Sequence, residues 1–198
     1  MSVLMKRLLA GSVLATALAS TPGLAQEADA YRETRLGLYV SAVEAFELLQ
    51  ENERAVLIDV RDPIEIKFTG FAEPTDIHVP WVLADRGNFD DEAKTWPMVR
   101  NADFEPRVKE RLEALGVAED DPIIVICRSG STRSAPGADA IAEMGYRQVY
   151  SVSDGFEGST LKEGDSRGVR ALNGWRNSGL PWSYEIDPGV AWRPADGS

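Results

Sequence analysis

Four consecutive apolar residues, Ile123 to Ile126, run directly into Cys127. The chain then turns polar through Arg128-Ser129-Gly130-Ser131-Thr132-Arg133, and small and apolar residues return at helical spacing from about Ala135 to Met144. A short, unbroken apolar run bounded by turn residues predicts a strand buried on both faces, as in a parallel sheet covered by helices on either side. The segment therefore reads as strand, loop and helix. A loop of this kind binds anions, because successive backbone N–H groups point inward and the helix N-terminus adds partial positive charge. Gly130 permits backbone angles that other residues resist. The same field favours thiolate over thiol at Cys127, so the expected role of this residue is nucleophile rather than core filler. Arg128 and Arg133, with the hydroxyls of Ser129, Ser131 and Thr132, suit recognition of a small oxyanion.

Cys127 is the one cysteine of the 198-residue chain. No internal disulfide can form and no resolving thiol exists, so any adduct on Cys127 must pass to another molecule. His78 is likewise the one histidine, and it lies in the extended stretch Ile77-His78-Val79-Pro80. It is expected to be structural rather than a base for Cys127, and one Cys with one His argues against a metal site.

At the N-terminus, Lys6 and Arg7 precede an apolar stretch from Leu8 to Ala19, followed by Thr21-Pro22-Gly23-Leu24-Ala25. This pattern predicts a secretory signal peptide over residues 1–25, too short to span a bilayer, with a periplasmic or secreted product and no stable membrane insertion after cleavage. Cleavage would leave 19 basic residues against 32 acidic ones, moving the net charge from −11 to −13. Nucleic acid is excluded as a partner by that charge, and a small anion must be held by a local positive site such as the Cys127 loop.

The rest of the chain reads as one domain. Residues 26–40 form an N-terminal extension expected to wrap the surface. Ser41-Ala42-Val43-Glu44 has the spacing of a capping box, opening a helix with Val43, Phe46 and Leu49 on one face. Ala55 to Val60 predicts a second buried strand with Asp59, Arg61 and Asp62 at its C-terminal end, near the Cys127 loop. Residues 80–105 lack periodicity and read as a long, partly structured loop. Arg107 to Leu115 predicts a helix stopped by Gly116, and Gln148 to Val152 another strand. Residues 159–172 read as a polar insertion. The aromatic tail through Trp182 packs back, the domain closes near 185, and 186–198 are expected to be flexible.

Four motifs, in order, resemble those of the rhodanese family. They are Leu57-Ile58-Asp59-Val60-Arg61-Asp62-Pro63-Ile64-Glu65, Ile77-His78-Val79-Pro80, Cys127-Arg128-Ser129-Gly130, and Gly174-Trp175 through Gly179-Leu180-Pro181. The resemblance covers about Ser41 to Trp182. It implies an α/β fold with a parallel five-stranded sheet flanked by helices, and a sulfurtransferase mechanism through a Cys127 persulfide with no cofactor. Cys127 would be catalytic, and Arg128, Ser129, Gly130, Ser131, Thr132 and Arg133 would bind substrate, supported by Asp59 and Arg61. A small sulfur-containing anion such as thiosulfate would be the donor. Cyanide or a thiol, including a protein thiol, would be the acceptor. One departure keeps other readings open: Cys127 to Arg133 counts seven residues, a Cys-x5-Arg spacing that resembles the family's phosphatase and arsenate-reductase relatives. A non-catalytic module that binds an anion or a partner is the third reading.

Overall fold

The computed structural model describes residues 33–194. The expected signal peptide, and the extension up to residue 32, lie outside the described residues. Five strands form one sheet: β1 (Tyr39–Val40), β2 (Val56–Asp59), β4 (Thr75–His78), β7 (Ile123–Ile126) and β8 (Val149–Val152). Their order is β1-β8-β7-β2-β4 and every pairing is parallel. The apolar runs are continuous because both faces are covered. Val56, Ile58, Val60, Ile123, Val125 and Cys127 pack toward α3 (Phe104–Ala114) and α4 (Ser134–Glu143). Leu57, Ile124, Ile126 and Val152 face the opposite way, toward α1 (Ala42–Glu51), Phe156 and Trp175. Ile123 to Ile126 are fully buried, which is what a strand between two helical layers requires.

Local signals account for the helix ends. Ser41 and Glu44 form the expected capping box on α1. Asp62 and Glu65 form a second one on α2 (Pro63–Thr69), with Pro63 in its first turn. The buried residues of α1 are Ala42 and Ala45, with Phe46 and Leu49 partly buried, whereas Val43 stays 42% exposed. Small residues let this helix approach the sheet, so the seam lies one position away from the expected face. In α3, Val108 and Leu112 are fully buried and Leu115 is half-exposed at the end.

Four segments differ from their sequence-based expectation. Residues 39–40, the end of the extension, are the edge strand of the sheet: the carbonyls of Leu38 and Val40 accept from the N–H groups of Ser151 and Ser153. Two residues joined by backbone bonds carry no periodicity to read. Within 80–105, β5 (Val82–Ala84) and β6 (Met98–Arg100) pair antiparallel, and the segment between them is closed by an Asp90–Thr95 bridge and a Phe89–Trp96 edge contact at 5.1 Å. This hairpin stands away from the core, so it lacks the buried-face alternation that marks a strand. Helix α3 begins three residues early, at Phe104, with Pro106 in the first turn where its missing N–H costs nothing. Residues 187–194 are not loose. The carbonyl of Val190 accepts from His78 N–H, and Trp192 packs on the core as a strap.

The excursion over 159–172 is largely exposed and its ends are tied by a Thr160–Arg170 bridge. β3 (Phe71–Ala72) pairs antiparallel with β9 (Trp182–Ser183), drawing the tail back across the sheet. Among the described residues, no helix is long and apolar enough to cross a membrane.

Candidate functional site

Cys127 follows β7 at the carboxyl end of the sheet, and Arg133 immediately precedes α4. The loop between them is shaped from outside. Gly130 has φ of +72°, and a Cβ there would drive into the carbonyl oxygens of Val152 and Ser153. Gly155, with φ of +64°, presses against the loop's other side, where a Cβ would lie 2.6 Å from both Cys127 O and Ser129 N. Both positions need glycine for conformation and for space. Two backbone bonds then fasten the loop to the turn beyond β8: Phe156 N–H to Cys127 O at 2.8 Å, and Glu157 N–H to Arg128 O at 2.9 Å.

The N–H groups of Ser129 through Ser134 donate to no carbonyl or carboxylate among the described residues, and the N-terminus of α4 has no side-chain cap. Those of Ser129 and Ser134 turn toward the Cys127 sulfur. This is the inward-facing array that an anion requires. Cys127 is 1% exposed, at the floor of the cradle. Burial pushes its thiol up, but the Arg133 charge, the Ser134 hydroxyl and the two N–H groups outweigh burial and hold it below its ordinary value.

The two loop arginines have different surroundings. Arg133 is held by Glu65 of α2 through both guanidinium nitrogens, one at 2.9 Å, and its side chain is 12% exposed. Burial lowers its basicity, yet Glu65 and the charges of Cys127 and Asp59 raise it further, so it stays charged beside the sulfur. Arg128 points elsewhere. Its Nε donates to Glu157 at 2.6 Å, its side chain is 44% exposed, and Arg176 donates to the other oxygen of the same carboxylate at 3.1 Å. Ser129 and Ser131 share a hydroxyl–hydroxyl bond of 3.1 Å, and Thr132 is exposed at the rim.

Asp59 and Arg61 form a sealed brace rather than a contact surface. Both side chains are fully buried, the guanidinium donates to Asp59, Thr69 Oγ1 and the carbonyl of Gly70, and it lies 4.0 Å from the Phe156 ring centroid. Burial pushes the Asp59 carboxyl up, and Arg61 more than reverses this. The brace joins the end of β2 to α2 and to the turn that grips the Cys127 loop. Cutting one partner of such a pair costs about 3–5 kcal/mol. His78 is 2% exposed, with Nε2 on the carbonyl of Arg61 at 2.8 Å and Nδ1 accepting from Trp192 N–H at 3.3 Å. It is structural, as its sequence position suggested. Among the described residues no group of His, Cys, Asp and Glu could hold a metal ion.

Sequence reasoning missed five participants: Ser134 and Ser151 behind the sulfur, Gly155 against the loop, and Glu157 and Glu65 on the arginines. Only Glu65 carried a signal of pairing, as the acidic residue of a capping box at the start of a helix. A cavity of about 750 Å³ lies between α2, β5 and the strap, lined by Ile64, Lys67, Leu83 and Trp192. No residue of the Cys127 loop lines it, so it is not the anion cradle.

Comparison with known proteins agrees with this geometry. A family model described as the rhodanese-like domain matches residues 42–161. The crystal structure of Rv0390 from M. tuberculosis is similar at 31% identity and a TM-score of 0.57, over 74% of this chain and 96% of that one. An uncharacterized protein of Rickettsia conorii is 28% identical over 153 residues, 73% of this chain and 96% of its own length. Its counterpart in Rickettsia prowazekii is 29% identical over 145 residues, with the same shares covered. With the parallel sheet, the loop at its carboxyl edge and a family match over most of the domain in agreement, the chain belongs to the family of rhodanese-like domains.

Proposed function

We propose that this protein is a sulfurtransferase that carries sulfane sulfur on Cys127. The observation that carries the reading is the lone cysteine at the floor of a cradle of N–H groups that meet no protein oxygen among the described residues, with the Arg133 guanidinium beside it. Cys127 as thiolate attacks the outer sulfur of a donor such as thiosulfate, and sulfite leaves with the electron pair of the broken S–S bond. The negative charge then rests on the outer sulfur of Cys127–S–S⁻, where the N–H groups of the loop stabilise it. Arg133 orients the donor's sulfonate. A thiophilic acceptor, cyanide or a thiol, takes the outer sulfur and returns the thiolate. A nucleophile exposed by only 1% favours slender reagents of this kind.

The Cys-x5-Arg spacing supports a second reading, attack on a phosphate ester or arsenate. That chemistry needs an acid for the leaving oxygen. The carboxylates at the loop, Glu65 and Glu157, are each engaged by arginine, which weighs for sulfur. The N-terminal apolar segment supports export, so the proposed setting is the periplasm or the extracellular space.

Intact-mass spectrometry of the purified protein after thiosulfate treatment tests the proposal. Gain of one sulfur atom, removed by cyanide and absent in Cys127→Ser, is the expected result. Hydrolysis of an aryl phosphate without sulfur gain would establish the second reading instead. Neither activity would leave an anion- or partner-binding module.

A further inference from the structure

Behind the Cys127 sulfur runs a line of buried hydroxyls. Ser151 Oγ on β8 lies 3.0 Å from Ser134 Oγ in the first turn of α4, and Ser134 Oγ lies 3.5 Å from Cys127 Sγ. The three residues are 1%, 0% and 1% exposed. Ser151 occupies the same sheet face as Val149, two residues earlier, where packing alone would favour another branched apolar side chain. A hydroxyl there is costly to bury unless it is bonded, and its bond is to Ser134. Each serine has one hydroxyl proton. With the thiol protonated, Sγ and Ser151 both donate to Ser134 Oγ; once the sulfur ionises it has no proton to give, and Ser134, still accepting from Ser151, turns its own proton toward it.

We propose that Ser151 is a positioning residue: through Ser134 it stabilises the sulfur of Cys127 as free thiolate in preference to persulfide, biasing the site toward delivering sulfur. The delivery half of this inference rests on the sulfur-transfer reading. During loading, Sγ bonds to the donor's outer sulfur, sulfite departs with the electron pair, and the charge leaves Sγ for the new terminal sulfur. During discharge, cyanide bonds to that terminal sulfur, the bond between the two sulfurs breaks, Sγ takes the pair, and thiocyanate leaves. Sγ therefore carries full negative charge only when unloaded, and a hydrogen bond to it is strongest in that state. The cradle N–H groups of Gly130 to Arg133 are left for the terminal sulfur, whereas the serine line, together with the N–H groups of Ser129 and Ser134, serves the leaving one.

The charged groups around Cys127 are Arg133 with Glu65, the Asp59–Arg61 pair, and Arg128 with Glu157. None contacts Ser151, so a Ser151→Ala change reports on the hydroxyl line. The readout is the ultraviolet absorbance of the thiolate against pH, referenced to Cys127→Ser, which needs no access for a reagent. In Ser151→Ala the acid dissociation constant of Cys127 should fall about threefold, and in Ser134→Ala about tenfold. The double variant should add little, because the two hydroxyls act in series. Ser151→Thr, which keeps the hydroxyl, should restore the profile. In single turnovers, cyanide discharge of Ser151→Ala should slow about threefold, while thiosulfate loading above the thiol midpoint is not slowed.

A Ser151→Ala profile that overlies the parent would overturn the proposal, as would equal slowing of loading and discharge with Ser151→Thr no better. If the parent protein takes up no sulfur, the sulfur-transfer reading and the delivery half of this inference fail together. The absorbance profile then still decides whether Ser151 sets the charge on Cys127.

Discussion

At the scale of single residues, the two loop arginines look equivalent in sequence and are not equivalent in space. Arg133 is mostly buried beside the sulfur and held by Glu65, whereas Arg128 is 44% exposed and tied to Glu157. A charge next to a buried thiolate acts through a low dielectric, and an exposed one is screened. Arg133→Ala is therefore expected to lower the thiosulfate loading rate at neutral pH about tenfold, and Arg128→Ala about twofold. Single-turnover loading monitored by mass checks this, and equal losses would contradict it. The physical reason Arg133 outranks Arg128 was only half legible. The sequence placed both next to Cys127, but the carboxylates that aim them lie 68 and 29 residues away. Asp59 and Arg61 make the converse case: their position at a strand end suggested a role near the loop, and the fold makes them its sealed support.

At the scale of elements, the C-terminal strap depends on one imidazole. His78 donates from Nε2 to Arg61 O and accepts at Nδ1 from Trp192 N–H, an arrangement that fits the neutral ring alone. Burial lowers its basicity, and this outweighs the pull of Asp59 in the other direction. A histidine whose folded value is depressed contributes stability above its ordinary 6.5, and that contribution is lost as pH falls below it, because only the unfolded chain takes the proton readily. Acidification from about pH 7.5 to about pH 5.5 should lower the urea midpoint of the parent protein, and His78→Gln should show a shallower drop. Parallel losses in the two proteins would place the pH dependence elsewhere. No local pattern announced the strap, since the contact joins positions 114 residues apart.

At the scale of the whole molecule, the chain is strongly acidic, with a net charge of −11, and its loop arginines are each matched by a carboxylate. A dianionic donor of the proposed kind would therefore meet long-range repulsion before it reaches the N–H cradle, whose attraction acts only at close quarters. Raising ionic strength from about 0.01 M to about 0.15 M shortens the Debye length from roughly 30 Å to roughly 8 Å. The second-order rate constant for thiosulfate loading should rise about two- to fivefold over that range, and a flat or falling dependence in stopped-flow measurements would show that the local positive field reaches further than the global one.

The strands buried on both faces, the capping box that opens α1, and the cysteine-bearing loop between Ile126 and Ser134 were legible in the sequence, because burial, capping and turn chemistry act over a few neighbouring residues. Which carboxylate holds which arginine, which glycine presses on the loop, and which hydroxyls stand behind the sulfur were settled by the folded arrangement. Those pairings join residues brought together by sheet register and by the return of the tail. Periodicity records which face of an element is buried, and carries nothing about what lies across from it.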